Sequence, residues 1–95
     1  MAKVVWSPAA LADMESIAEY VARDSADQAS LLVTRIINAT RHLSAFPRMG
    51  RTIPEIADSA CREIFVGNYR LMYRLLNDEV RITGVAHGAR QRRPR

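Results

Sequence analysis

Between Cys61 and Arg90 the chain places residues that could handle an anion: Arg62, Arg70, Arg74, Arg81 and Arg90, with His87 among them. Arginine offers a planar fork of donors matched to phosphate or carboxylate. Histidine, with an ordinary pKa of about 6.5, is the side chain suited to moving a proton near neutrality. Two stretches, YRLMYRL and EVRITGVAH, alternate at period two around Asn77-Asp78. A two-residue loop there pairs Leu76 with Glu79, Arg74 with Arg81, Met72 with Thr83 and Arg70 with Val85. The opposite face then carries Tyr69, Leu71, Tyr73 and Leu75 against Ala86, Gly84, Ile82 and Val80. Like charges facing each other across a ladder are destabilising. The expectation is therefore that an anion outside the chain meets Arg70, Arg74 and Arg81.

The rest of the chain must position these groups. Its 95 residues, 48% apolar and 25% charged, suffice for one domain with a modest core. The charge is divided: residues 1–40 hold three basic and five acidic side chains, residues 41–95 eleven arginines and five acids, which together give the net +4. Every basic residue but Lys3 is arginine. Cys61 has no partner for an internal disulfide, and Cys61, His42 and His87 are too few for a metal site, so no metal or cofactor is implied. Cys61 reads as a small apolar residue at a strand start. No apolar run approaches the roughly 18 residues of a membrane span, and the opening MAKVVWSP is unlike a signal peptide. A cytoplasmic protein with no membrane partner is expected.

Lys3 to Trp6 reads as a short strand, with Trp6 in the core. Ser7-Pro8 supplies an N-cap and a first-turn proline. The helix from Ala9 to Arg23 would bury Leu11, Met14, Ile17, Ala18 and Val21. Ser25 with Gln28 forms a capping box for a second helix, which buries Ala29, Leu32, Val33, Ile36, Ala39 or Thr40, and Leu43, and stops at Phe46-Pro47. Residues 48–60 read as a loop, and Arg62 to Val66 as a strand before a Gly67-Asn68 turn. Two tightly joined amphipathic helices must lie side by side and need a sheet face to cover. The expected fold is α+β: an N-terminal strand and an α-helical hairpin packed on a mostly antiparallel sheet of about four strands, in the order β-α-α-β-β-β. Residues 1–90 form the domain, and 91–95 an arginine-rich tail.

This order resembles the RelE/ParE superfamily of toxins from type II toxin–antitoxin systems. The resemblance is carried by WSPAALADMESIAEYVARDS, FPRMGR, REIFVGNYRLMYR and VAHGAR, which together span nearly the whole chain. It implies a bacterial protein silenced by a cognate ParD- or RelB-like antitoxin, touching operator DNA only through that antitoxin. The RelE branch cleaves mRNA at the ribosome; the ParE branch is associated with blocking DNA gyrase and with plasmid stabilisation.

Metal-free RNA cleavage needs a base, an acid and phosphate stabilisation. Arg70 and Arg90 match family arginines, and His87 is the remaining candidate for a proton shuttle. The lysines that RelE places on the preceding strand are replaced by a region with Arg62, Glu63 and Phe65, where Glu63 has the wrong sign beside a phosphate. RelE's late tyrosine has no counterpart after Tyr73. Arginine stays protonated and is a poor acid or base. The resemblance therefore favours the ParE branch, with Arg62, Arg70, Arg74, Arg81 and Arg90 as surfaces for target or antitoxin. The alternatives are a RelE-like ribonuclease using Arg70, His87 and Arg90, or an attenuated toxin that acts as antitoxin-binding co-repressor. Direct nucleic-acid binding by arginine and tyrosine is a further class, opposed by the placement of Tyr69 and Tyr73 on the core face. The antitoxin's C-terminal segment is expected in the groove beside the helical hairpin, pairing charge with Arg70, Arg74 or Arg81.

Overall fold

A computed structural model describes residues 1–88, so Arg90 and the 91–95 tail lie outside the described residues. Strand β1 (Lys3–Trp6) leads into helix α1 (Pro8–Ala22). The Ser7 hydroxyl caps α1 by accepting from the Ala10 N–H at 3.0 Å. Ser25 caps helix α2 (Ala26–Ala45) by accepting from the Gln28 N–H at 3.1 Å. After Pro47 come β2 (Arg51–Thr52), β3 (Cys61–Val66), β4 (Tyr69–Leu75) and β5 (Glu79–His87). They form one five-stranded sheet in the order β1-β5-β4-β3-β2, antiparallel except for the β1–β5 pair. The α+β architecture follows the sequence expectation. Its addition is β2, a two-residue strand inside the segment expected to be loop, where the pattern is too short to register.

Both helices pack on one sheet face. Leu32, Ile36 and Leu43 of α2 meet Val66, Leu71, Tyr73, Val80, Ile82 and Val85 in a single core. The buried side of α2 (Ala29, Leu32, Ile36, Thr40, Leu43) is the face its periodicity dictates. In α1 the buried residue is Ala10, with Met14, Ile17 and Val21 packed beside it, while Leu11 is 48% exposed. Met14, Ile17 and Val21 thus keep the expected stripe, and only at its N-terminal end does Ala10 take the buried place expected of Leu11. Trp6 packs against the core edge, as expected.

The β4–β5 ladder departs from the expected register midway. Leu75 pairs with Val80, Arg74 with Arg81 and Tyr73 with Ile82, but Met72 then faces Gly84, Leu71 faces Val85, Arg70 faces Ala86 and Tyr69 faces His87. Thr83 is the additional residue of a β-bulge. A one-residue slip reverses the face of everything beyond it. Val85, expected opposite Arg70, therefore joins the core at 5% exposure, while Ala86 takes the outer position beside Arg70. At the other hairpin Gly67 adopts φ +58, the positive value that the first central position of a II′ turn demands.

Candidate functional site

The sheet face turned away from the helices carries Cys61, Glu63 and Phe65 of β3, Arg70, Met72 and Arg74 of β4, and Arg81 of β5, with Arg51 alongside on β2. Arg74 and Arg81 face each other as the turn requires, but neither awaits an external anion. Arg74 Nη1 lies 3.0 Å from Asp58 Oδ2 and 3.1 Å from the half-buried Cys61 Sγ. Arg81 donates Nε to Glu79 Oε2 at 2.8 Å. The Asp58 carboxyl sits below its ordinary value because the Ala60 N–H and then Arg74 donate to it.

Arg70 differs most from expectation. It is buried, with its side chain 8% exposed against a Glu63 side chain that is 0% exposed. Nε of Arg70 donates to Glu63 Oε1 at 3.0 Å and Nη2 binds the same oxygen. Arg51 grips the other oxygen through Nε and Nη2, each at 2.7 Å. Arg51 lies in a segment with no period, and the wrongly signed Glu63 is the sequence's one hint of it. The internal carboxylates Glu63, Asp58 and Glu79 thus replace the external anion that the arginine pattern implied.

Arg62 shares the ladder position of Tyr73 and so points to the helix side of the sheet, where it donates to the Ser59, Arg48 and Gly50 carbonyls. It clamps the loops around β2. Tyr73 is core, as expected: its hydroxyl donates to the Pro47 carbonyl at 2.7 Å and accepts from the Gly50 N–H at 3.0 Å. Burial pushes its pKa up. Gly50 is held to glycine, because a Cβ there would meet the Tyr73 hydroxyl at 2.5 Å and the Glu63 carbonyl at 2.7 Å.

His87 lies on the helix side as the partner of Tyr69, and their rings meet edge to face at 5.2 Å. Because Arg70 pairs with Ala86, one position away, Arg70 and His87 point to opposite faces of the sheet. Tyr69 and His87 form one wall of a groove of about 660 Å³, with Asp13, Ser16, Ile17 and Tyr20 of α1 as the other. β1 pairs only with Glu79–Ile82, so β5 continues past its neighbour at this point. Asp13 spans the gap, its Oδ2 accepting from the Val85 N–H at 3.0 Å. No local pattern in the sequence signals that contact, which joins residues seventy-two positions apart.

The family model for the ParE toxin of type II toxin-antitoxin system, parDE, matches residues 4–92. The chain belongs to the ParE toxin family. Among its relatives is Toxin RelE2 of Caulobacter vibrioides, 33% identical over 91 residues, which cover 95% of this chain and 99% of that protein. A solved structure of the chromosomal ParDE TA system from P. aeruginosa shares the fold, with a TM-score of 0.75 and 20% identity over 92% of this chain and 96% of that one. Within the ParE family the molecule is thus a toxin-type domain with a self-neutralised arginine face on one side of its sheet and a partly apolar groove at the other.

Proposed function

We propose that this ParE-family chain is a toxin that blocks DNA gyrase and is silenced by a cognate ParD-like antitoxin. The observation that carries the choice of target is the separation of Arg70 from His87. A ribonuclease must bring phosphate stabilisation and proton transfer to one reacting centre. Here Arg70 is buried against Glu63 on one face and His87 stands on the other. A protein-binding toxin has no such requirement. Its target would meet the outer face, where Arg51, Arg74 and Arg81 remain partly exposed.

The antitoxin segment belongs in the groove between α1 and β5. Ile17, Tyr20 and Tyr69 offer it apolar contact, and among the described residues no arginine lines the groove. The pairing expected of Arg74 or Arg81 is therefore reassigned from antitoxin to target, because those residues occupy the opposite face, while Arg70, buried against Glu63, takes no part in it. No helix among the described residues is long and apolar enough to cross a membrane, and the action proposed is cytoplasmic.

The test is incorporation of labelled thymidine and amino acids in the minutes after induction without antitoxin. Early loss of thymidine incorporation with translation intact is the expected result. Early loss of amino-acid incorporation would instead make the ribosome the target and sink the gyrase reading.

A further inference from the structure

Glu63 is the only buried acid among the described residues. It lies where β2, β3 and β4 meet, and among the described residues two guanidinium forks converge on it from its two neighbouring strands: Arg51 on Oε2 and Arg70 on Oε1. Two forks aimed at one point are the donor set that receives a tetrahedral oxyanion. Phe65 stands beside them, its ring centroid 5.7 Å from the Arg51 guanidinium carbon and 6.0 Å from that of Arg70. The site is not sealed, since the Arg51 side chain is 60% exposed.

We propose that Glu63 is an internal anion filling a two-arginine phosphate-type site, and that it sets the ligand selectivity of the outer face by keeping phosphodiesters out. An entering phosphate would have to displace a carboxylate that is tethered in place, hence always present at high effective concentration. Without displacement, the phosphate would face that carboxylate's charge in a poorly screened setting. The same residue positions thus form either a nucleic-acid contact or a self-satisfied structural cluster, and the charge at position 63 decides which. This deepens the reading above and rests on it for its biological meaning, but the binding experiment involves no gyrase, so either can fail without the other.

The experiment compares wild type with Glu63→Gln for binding a fluorescent single-stranded RNA oligonucleotide across a salt series. Each added phosphate contact steepens the plot of log K against log salt by roughly 0.7 for single strands. The variant is expected to steepen by roughly 0.7 to 1.4, one or two contacts, and adding Arg51→Gln should remove part or all of that gain. The difference between proteins is the readout, so RNA bound elsewhere on both cancels. A folded variant with the wild-type slope overturns the proposal. Should the variant fail to fold, wild type itself decides through the Nε–H NMR signals of Arg51 and Arg70 during RNA titration. Signals that stay in place support an occupied site; signals that move with RNA overturn it.

Discussion

Glu63 is the residue with the most at stake, because its charge is wholly removed from water. Burial alone would raise its carboxyl pKa. The hydrogen bonds from Arg70 and Arg51, reinforced by their charge, outweigh burial and hold it below the ordinary 4.5. A carboxyl depressed in the folded state contributes stability that is present above its ordinary value and lost as pH falls through the folded value. The urea midpoint of wild type is therefore expected to drop on acidification below pH 4.5, and that of Glu63→Gln to drop less. Parallel midpoint curves for the two would remove Glu63 from the acid response. Truncating one partner of a buried pair costs about 3–5 kcal/mol; glutamine keeps an acceptor, so its cost at neutral pH should lie toward the lower figure. Tyr73→Phe isolates a second buried network. It leaves the Gly50 N–H and the Pro47 carbonyl without their partner, at an expected cost of about 1–3 kcal/mol in chemical denaturation.

At the scale of elements, the Thr83 bulge decides which way the end of β5 faces. Deleting Thr83 would close the bulge, setting Gly84 directly after Ile82 opposite Met72, with Val85 still in the core and Ala86 outside. Thr83 is itself exposed, so the core loses no side chain and the denaturation midpoint is expected to change little. A large fall would mean that the local twist of the bulge is needed to present the Val85 N–H to Asp13. The groove that this strand shares with α1 makes a separate prediction. Tyr20 is largely exposed in the chain alone, so Tyr20→Ala should leave folding intact yet weaken antitoxin binding by roughly tenfold or more, as aromatic anchors do. Arg74→Ala and Arg81→Ala, on the opposite face, should leave antitoxin affinity nearly unchanged and reduce toxicity. The reverse pattern, measured by calorimetry and plating, would return the antitoxin to the arginine face. Neither substitution should unfold the protein, since exposed ion pairs contribute little.

Over the whole molecule, the uneven charge of the sequence becomes a division between layers. The acid-rich first forty residues supply chiefly the two helices, and the arginine-rich remainder supplies most of the sheet. Such a molecule steers an acidic target toward the sheet side. Inhibition of gyrase in a supercoiling assay is accordingly expected to weaken as salt rises, whereas antitoxin capture in the apolar groove should change less, because screening acts on exposed charges beyond about 8–10 Å. Equal salt sensitivity of the two would argue against separate surfaces.

The elements were legible in the sequence because their causes are local. Ser7-Pro8 and Ser25 with Gln28 cap helices through groups three residues away. The 3.6-residue period of α2 names its own buried face, and the Asn77-Asp78 turn fixes the pairing nearest to it, including Arg74 against Arg81. What the tertiary structure decided depends on contacts distant along the chain. Arg70 meets Glu63 across neighbouring strands, Arg51 reaches the same carboxylate from a strand of two residues, and Asp13 binds β5 across seventy-two positions. Alternation alone placed every arginine of the hairpin beside an absent anion. Three carboxylates, brought in from outside the alternating pattern or along the strand, turned that face into one the chain neutralises for itself, and a single additional residue at Thr83 turned the end of β5 over.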